Sequence, residues 1–134
     1  MSDVEAFFAR YHPGARRNYR GPSGDVLACG LIAGAFVLLT GGQFLHVYGR
    51  ASGTGSRADI RPRVEDASIT WGGHVVCLGG DLIYDVLLPG PVDAGEYMER
   101  AFTNSDDLFI ASMEGCRASD YYLREMGLAL SPTS

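Results

Sequence analysis

The chain has 134 residues, 46 % of them hydrophobic and 20 % charged, with a formal net charge of −5 from 11 basic and 16 acidic side chains. That length and apolar content suit one folded domain, residues 1–134, with a core of its own, and they exclude an intrinsically disordered chain. The acidic balance speaks against a nucleic-acid or anionic-membrane partner, because the one basic cluster, Arg16, Arg17 and Arg20, is short and reads as a solvated loop.

In chain order, Ser2-Asp3-Val4-Glu5 is a capping box that opens a first helix. Val4, Phe7, Phe8 and Tyr11 give it one apolar face, and His12-Pro13-Gly14 stops it. After an Arg-rich loop, Asp25 to Thr40 reads as a second helix, capped by Ser23 or Asp25 and ended by Gly41-Gly42. It is apolar on every side, so it is expected to be a central helix enclosed by other elements. Gly30 and Gly34, four apart on one face, would let a neighbouring backbone come close.

Phe44 to Tyr48 is strand-like, and Ala51 to Ser56 is a loop. Ile60 to Val64 is a short edge strand limited by Pro62, and Ala67 to Trp71 is strand-like. Two clear strands follow, His74 to Leu78 and Asp81 to Leu88, before Pro89-Gly90-Pro91 breaks the pattern. Asp93 caps a helix through about Phe102, with Glu96 at the capping-box position. Leu108 to Met113 is read as a strand, Ala118 to Met126 as a last helix, and the tail from Ser131 as loose. Helices, then mostly antiparallel strands, then helices make an α+β domain, with the central buried helix packed on a small antiparallel sheet.

Cys29, Cys77 and Cys116 are odd in number and widely spaced, which is neither a disulfide framework nor a paired zinc spacing. A reducing compartment is expected, with no metal and no cofactor. Asp3, Glu5 and Arg10 interrupt the start of the chain, so no secretory leader is read there, and the most apolar run, Val26 to Leu39, is too short to span a bilayer. A cytoplasmic location is expected, with delivery into another cell left open.

The chemistry concentrates in GGHVVCLGGDLIYD, residues 72–85. Gly79-Gly80 between two β-rich runs is a two-residue hairpin signal, and such a loop sets the register. Leu78 then faces Asp81, Val76 faces Ile83, and His74 faces Asp85, with Cβ atoms about 5 Å apart. His74 and Asp85 are therefore expected to hydrogen-bond on one face of the hairpin, with Cys77 on the other. An Asp on one imidazole nitrogen sets the ring's tautomer and orientation and supports the imidazolium, the base-and-orienter half of a nucleophilic triad.

Cys29 fits the nucleophile. It falls in the first turn or so of the buried helix, where the helix N-terminus and a nearby His⁺ favour thiolate. Ala28 and Gly30 beside it leave room for a carbonyl, and backbone N–H groups at the helix start would stabilise an oxyanion. Asp25, four residues earlier, acts in the opposite sense. Cys116, beside Arg117 and before a helix, is the rival nucleophile; His46 is a core or surface residue that could also line the cleft; Asp81 is turn chemistry.

A Cys at the start of a central helix, then a His opening a strand, then an Asp on the next strand resembles the papain-like and transglutaminase-like superfamily. GDVLACGLIAGAFVLL supplies the nucleophile helix and GHVVCLGGDLIYD the His–Asp hairpin, within roughly residues 22 to 88. The resemblance implies a thiol enzyme acting on amide or other acyl bonds of a protein or peptide substrate: a peptidase, deamidase, transglutaminase or acyltransferase. It makes Cys29 the nucleophile, His74 the base and Asp85 the orienter. Papain-type peptidases carry a Trp after the Cys and a Gln before it, and this chain has neither. Compact members occur among bacterial toxins, effectors and peptide-processing enzymes. The competing class is a non-catalytic acidic binding protein of inhibitor, immunity or adaptor type.

Overall fold

The computed structural model describes residues 2–12, 28–49, 59–64, 72–114 and 116–128, without the side chains of Ala28 and Cys29. The Arg16–Arg20 loop, the Ser23 and Asp25 caps, the Ala51–Ser56 loop, the Ala67–Trp71 strand and the tail from Ser131 lie outside these residues.

Helix α1 (Asp3–Tyr11) starts on the expected capping box: the Ser2 hydroxyl accepts from the Glu5 N–H at 3.1 Å, and Glu5 Oε1 accepts from the Ser2 N–H at 3.2 Å. Helix α2 (Ala28–Thr40) is followed by Gly41 at φ +73, whose N–H returns to the Val37 carbonyl at 2.8 Å, the left-handed cap that favours glycine. Among the described residues, five strands follow α2 into one antiparallel sheet: β1 (Gln43–Gly49), β2 (His74–Gly79), β3 (Leu82–Tyr84), β4 (Val92–Asp93) and β5 (Leu108–Ser112), in the order β4-β3-β2-β1-β5. Helix α3 (Ala94–Ala101) leaves β4 directly, with Asp93 Oδ1 accepting from the Gly95 N–H at 2.8 Å. Helix α4 (Tyr121–Glu125) is shorter than the Ala118–Met126 span expected.

The period-2 alternation of the strands divides the apolar side chains between two cores, one on each face of the sheet. On one face Cys77 and Val86 pack with Phe7, Phe8 and Tyr11 of α1, Ile32, Ala35 and Phe36 of α2, and Tyr122 and Leu123 of α4. On the other, Leu45, Val47, Val76 and Ile83 pack with Tyr97 and Ala101 of α3 and with Ile60, Leu87 and Phe102. The fold is thus α+β, and α2 covers one face of the sheet as expected. Its enclosure is incomplete: Ile32 to Phe36 are buried, whereas Leu38 in the last turn is 41 % exposed.

Several sequence expectations shift. The strand expected over Asp81–Leu88 stops at Tyr84, because Asp85 turns the chain: its carbonyl accepts from the Leu88 N–H at 3.0 Å and its Oδ1 from the Leu87 N–H at 3.1 Å. The Ile60–Val64 strand reduces to isolated bridges at Ile60 and at Pro62, the latter with Phe102, since proline has no N–H for a ladder. Of the two helix glycines, Gly34 does meet a backbone: a Cβ there would stand 2.7 Å from the Ser119 nitrogen, while at Gly30 no described atom comes within 4 Å.

Two stability predictions follow from these contacts. A Cβ on Gly42 would lie 2.3 Å from the Leu78 carbonyl oxygen, where α2 hands over to β1. Gly42→Ala is therefore expected to lower stability by about 1–3 kcal/mol in urea unfolding, as overpacking does. Burial, with Glu125 and the neighbouring tyrosines adding to it, pushes the Tyr122 hydroxyl up from 10.0 to about 12, and burial pushes Tyr11 up as well. Both phenols stay protonated in the fold while an unfolded chain ionises near its ordinary value. The stability this contributes is intact below about pH 10 and lost as pH rises toward 12, which alkaline unfolding followed by circular dichroism should show.

Candidate functional site

The site is built around the β2–β3 hairpin. Observed pairs are Gly79 with Leu82, Leu78 with Ile83 and Cys77 with Tyr84, so the loop is Gly80-Asp81 rather than Gly79-Gly80. Gly80 has φ +62 and Asp81 has no positive φ, the pattern of a turn that needs glycine first. The register is thus displaced by two residues from the expected one. A two-residue displacement leaves every side chain on its expected face, whereas a slip of one would exchange the faces. His74 and Asp85 therefore still share a face, diagonally rather than directly opposed, and the imidazole spans the extra distance.

Their contact is direct. His74 Nε2 donates to Asp85 Oδ2 at 3.0 Å. His74 is 6 % exposed and Asp85 4 %. The same Oδ2 accepts from the Tyr97 hydroxyl of α3 at 2.5 Å, and Oδ1 accepts from the Leu87 N–H. Charge buried this deeply is tolerated because the carboxylate takes three donors. Phe102, at the C-terminal end of α3, stands edge-on to both His74 and Tyr97, with ring centroids 6.1 and 5.7 Å away. A neutral imidazole bound through Nε2–H carries its lone pair on Nδ1, so Nδ1 is the basic nitrogen of this pair.

The other candidates fall elsewhere. Cys29 is in the first turn of α2, as expected, and its side chain lies outside the described residues. Thr40, at the far end of α2, sits beside the hairpin turn, with Oγ1 3.6 Å from Cys77 Sγ and 3.2 Å from where a Gly79 Cβ would be. The helix thus ends beside the closed end of the hairpin. α2 covers the Cys77 face, while His74 and Asp85 occupy the opposite one. Cys77 is wholly buried and burial pushes its thiol up, which makes it a core residue. With His74 and Cys77 on opposite faces, the two do not share a metal ion.

Cys116 does not stand at a helix start: α4 begins at Tyr121, and the Cys116 thiol lies 3.5 Å from Met113 Sδ. That removes the helix-terminus support expected for the rival nucleophile. His46 is on β1 beside β2, on the same face as Cys77, with its ring against Tyr48. The residue that sequence reasoning missed is Tyr97. Its signal was faint: a tyrosine one turn into a helix capped by Asp93, with nothing in the spacing to pair it with Asp85.

Asp85→Ala would strip the acceptor from His74, Tyr97 and Leu87 together. The expected loss is about 3–5 kcal/mol in urea unfolding, the range for breaking a buried charged pair. No helix among the described residues is long and apolar enough to cross a membrane. In comparisons with known proteins, no family model, curated protein or solved structure matches the chain.

Proposed function

We propose that the chain is a thiol-dependent enzyme that transfers or hydrolyses acyl groups held in amide bonds, with Cys29 as nucleophile, His74 as base and Asp85 as orienter. The observation that carries this is the buried 3.0 Å contact between His74 Nε2 and Asp85 Oδ2. It fixes a tautomer whose basic nitrogen is Nδ1.

In the proposed cycle the Cys29 proton passes to His74 Nδ1 as sulfur attacks the substrate carbonyl. The tetrahedral oxyanion collapses to a thioester, and the leaving amine departs with the proton from His74. Water or a second amine then attacks the thioester, gives its proton to His74 and restores the thiol. Water as acceptor makes a peptidase or deamidase; an amine makes a transferase. Asp85 keeps its proton-free form throughout and holds the ring.

A non-catalytic acidic binding domain is the alternative, favoured by the coverage of opposite sheet faces by α2 and by the His74–Asp85 pair. One experiment separates the two. Folded protein is treated with iodoacetamide at mildly acidic pH and the adducts are located by peptide mass spectrometry, in wild type and in His74→Gln. Gln preserves an N–H toward Asp85 and removes the base. Fast alkylation of Cys29, at least ten-fold slower in His74→Gln, is expected for the enzyme, with buried Cys77 unlabelled as internal control. Equal Cys29 rates in both proteins would overturn the enzyme assignment.

A further inference from the structure

Asp85 Oδ2 is the acceptor for two donors at once, His74 Nε2 at 3.0 Å and the Tyr97 hydroxyl at 2.5 Å. Tyr97 is fully buried, one turn into α3, and its ring is locked edge-on against Phe102. A carboxylate carried by a short side chain at the end of a strand rotates readily about its terminal torsion, which is broad. Here one oxygen is tied to the Leu87 N–H by a local turn, and the other is tied to an element from a different part of the chain.

We infer that Tyr97 is a positioning residue for the His74–Asp85 pair: its hydroxyl holds Oδ2 where it accepts the hydrogen bond from His74 Nε2–H, and so selects the imidazole tautomer that makes Nδ1 basic. This rests on the enzyme assignment only for its catalytic meaning; the positioning itself is a property of the folded chain. Among the described residues, the titratable groups hydrogen-bonded to Asp85 are His74 from β2 and Tyr97 from α3, with the Leu87 N–H beside them. In this scheme Tyr97 acts through Asp85. The competing possibility is that the Leu87 N–H on Oδ1 suffices and that Tyr97 only fills space against Phe102.

The test is the ¹⁵N spectrum of the His74 ring in wild type and Tyr97→Phe, together with the rate of Cys29 alkylation in each. Wild type should show one neutral tautomer, protonated on Nε2. Tyr97→Phe, which deletes a single oxygen, should show a mixture of the two tautomers and alkylate Cys29 three- to ten-fold more slowly. A single, unchanged tautomer in Tyr97→Phe would overturn the inference and leave Leu87 as the sufficient anchor. Should Tyr97→Phe fail to fold, 3-fluorotyrosine at position 97 keeps the hydroxyl and makes it a stronger donor. It draws charge from Oδ2 and should lower the His74 titration midpoint; an unmoved midpoint would overturn the inference equally. The two proposals fail separately. If His74→Gln alkylates at the wild-type rate while Tyr97→Phe scrambles the tautomer, the enzyme assignment falls and the positioning role stands.

Discussion

One buried carboxylate is the point on which this fold turns. Asp85 receives an imidazole from β2, a phenol from α3 and a backbone N–H from its own turn, and each arrives from a different part of the chain. An ionised group 4 % exposed is costly unless its lone pairs are taken up, and three donors take them up. The consequence reaches well past the site. The same turn ends β3 early, orients the segment that leads to β4, and gives α3 a polar anchor on a face that is otherwise aliphatic and aromatic.

The sheet does the rest by simple alternation. Because successive side chains point to opposite faces, β2 presents Val76 and His74 to α3 and Cys77 to α2. Glycines let the layers close. Gly42 allows the α2–β1 connection to approach the Leu78 carbonyl, and Gly34 allows residues 118 and 119 to lie directly on α2. The apolar character of α2 on all sides reflects this crowding: α1, α4 and the sheet each take a share of it, and among its described side chains Leu38, in the final turn, emerges.

Much of this was legible in the residues. Capping chemistry is local, so Ser2, Asp93 and the Gly41 stop could be read directly. The His74–Asp85 pairing was legible for a less obvious reason. The turn expected at Gly79-Gly80 lies one residue before the observed one, which displaces the register by two, and an even displacement preserves the face of every side chain. What was illegible depended on contacts distant in sequence. The end of β3 is decided by Asp85 capturing its own downstream N–H groups, which competes with the ladder although Val86, Leu87 and Leu88 look like strand residues. Tyr97 could not be found because nothing local distinguishes a helical tyrosine that meets a carboxylate across the core from one that merely packs.

Consider finally the two residues after Asp85. Val86 is embedded in the core shared by α1, α2 and α4, and its neighbour Leu87 in the core beneath α3. Val86 is also held from outside, its carbonyl 3.0 Å from His12 Nδ1 at the end of α1. Consecutive residues so placed act as a rivet through the sheet. Neither layer of helices can lift away without dragging the same short stretch of backbone, so the two faces are one cooperative unit rather than two foldons stacked on a common sheet. Motion that would open the His74–Asp85 face is thereby coupled to packing around α2 on the far side.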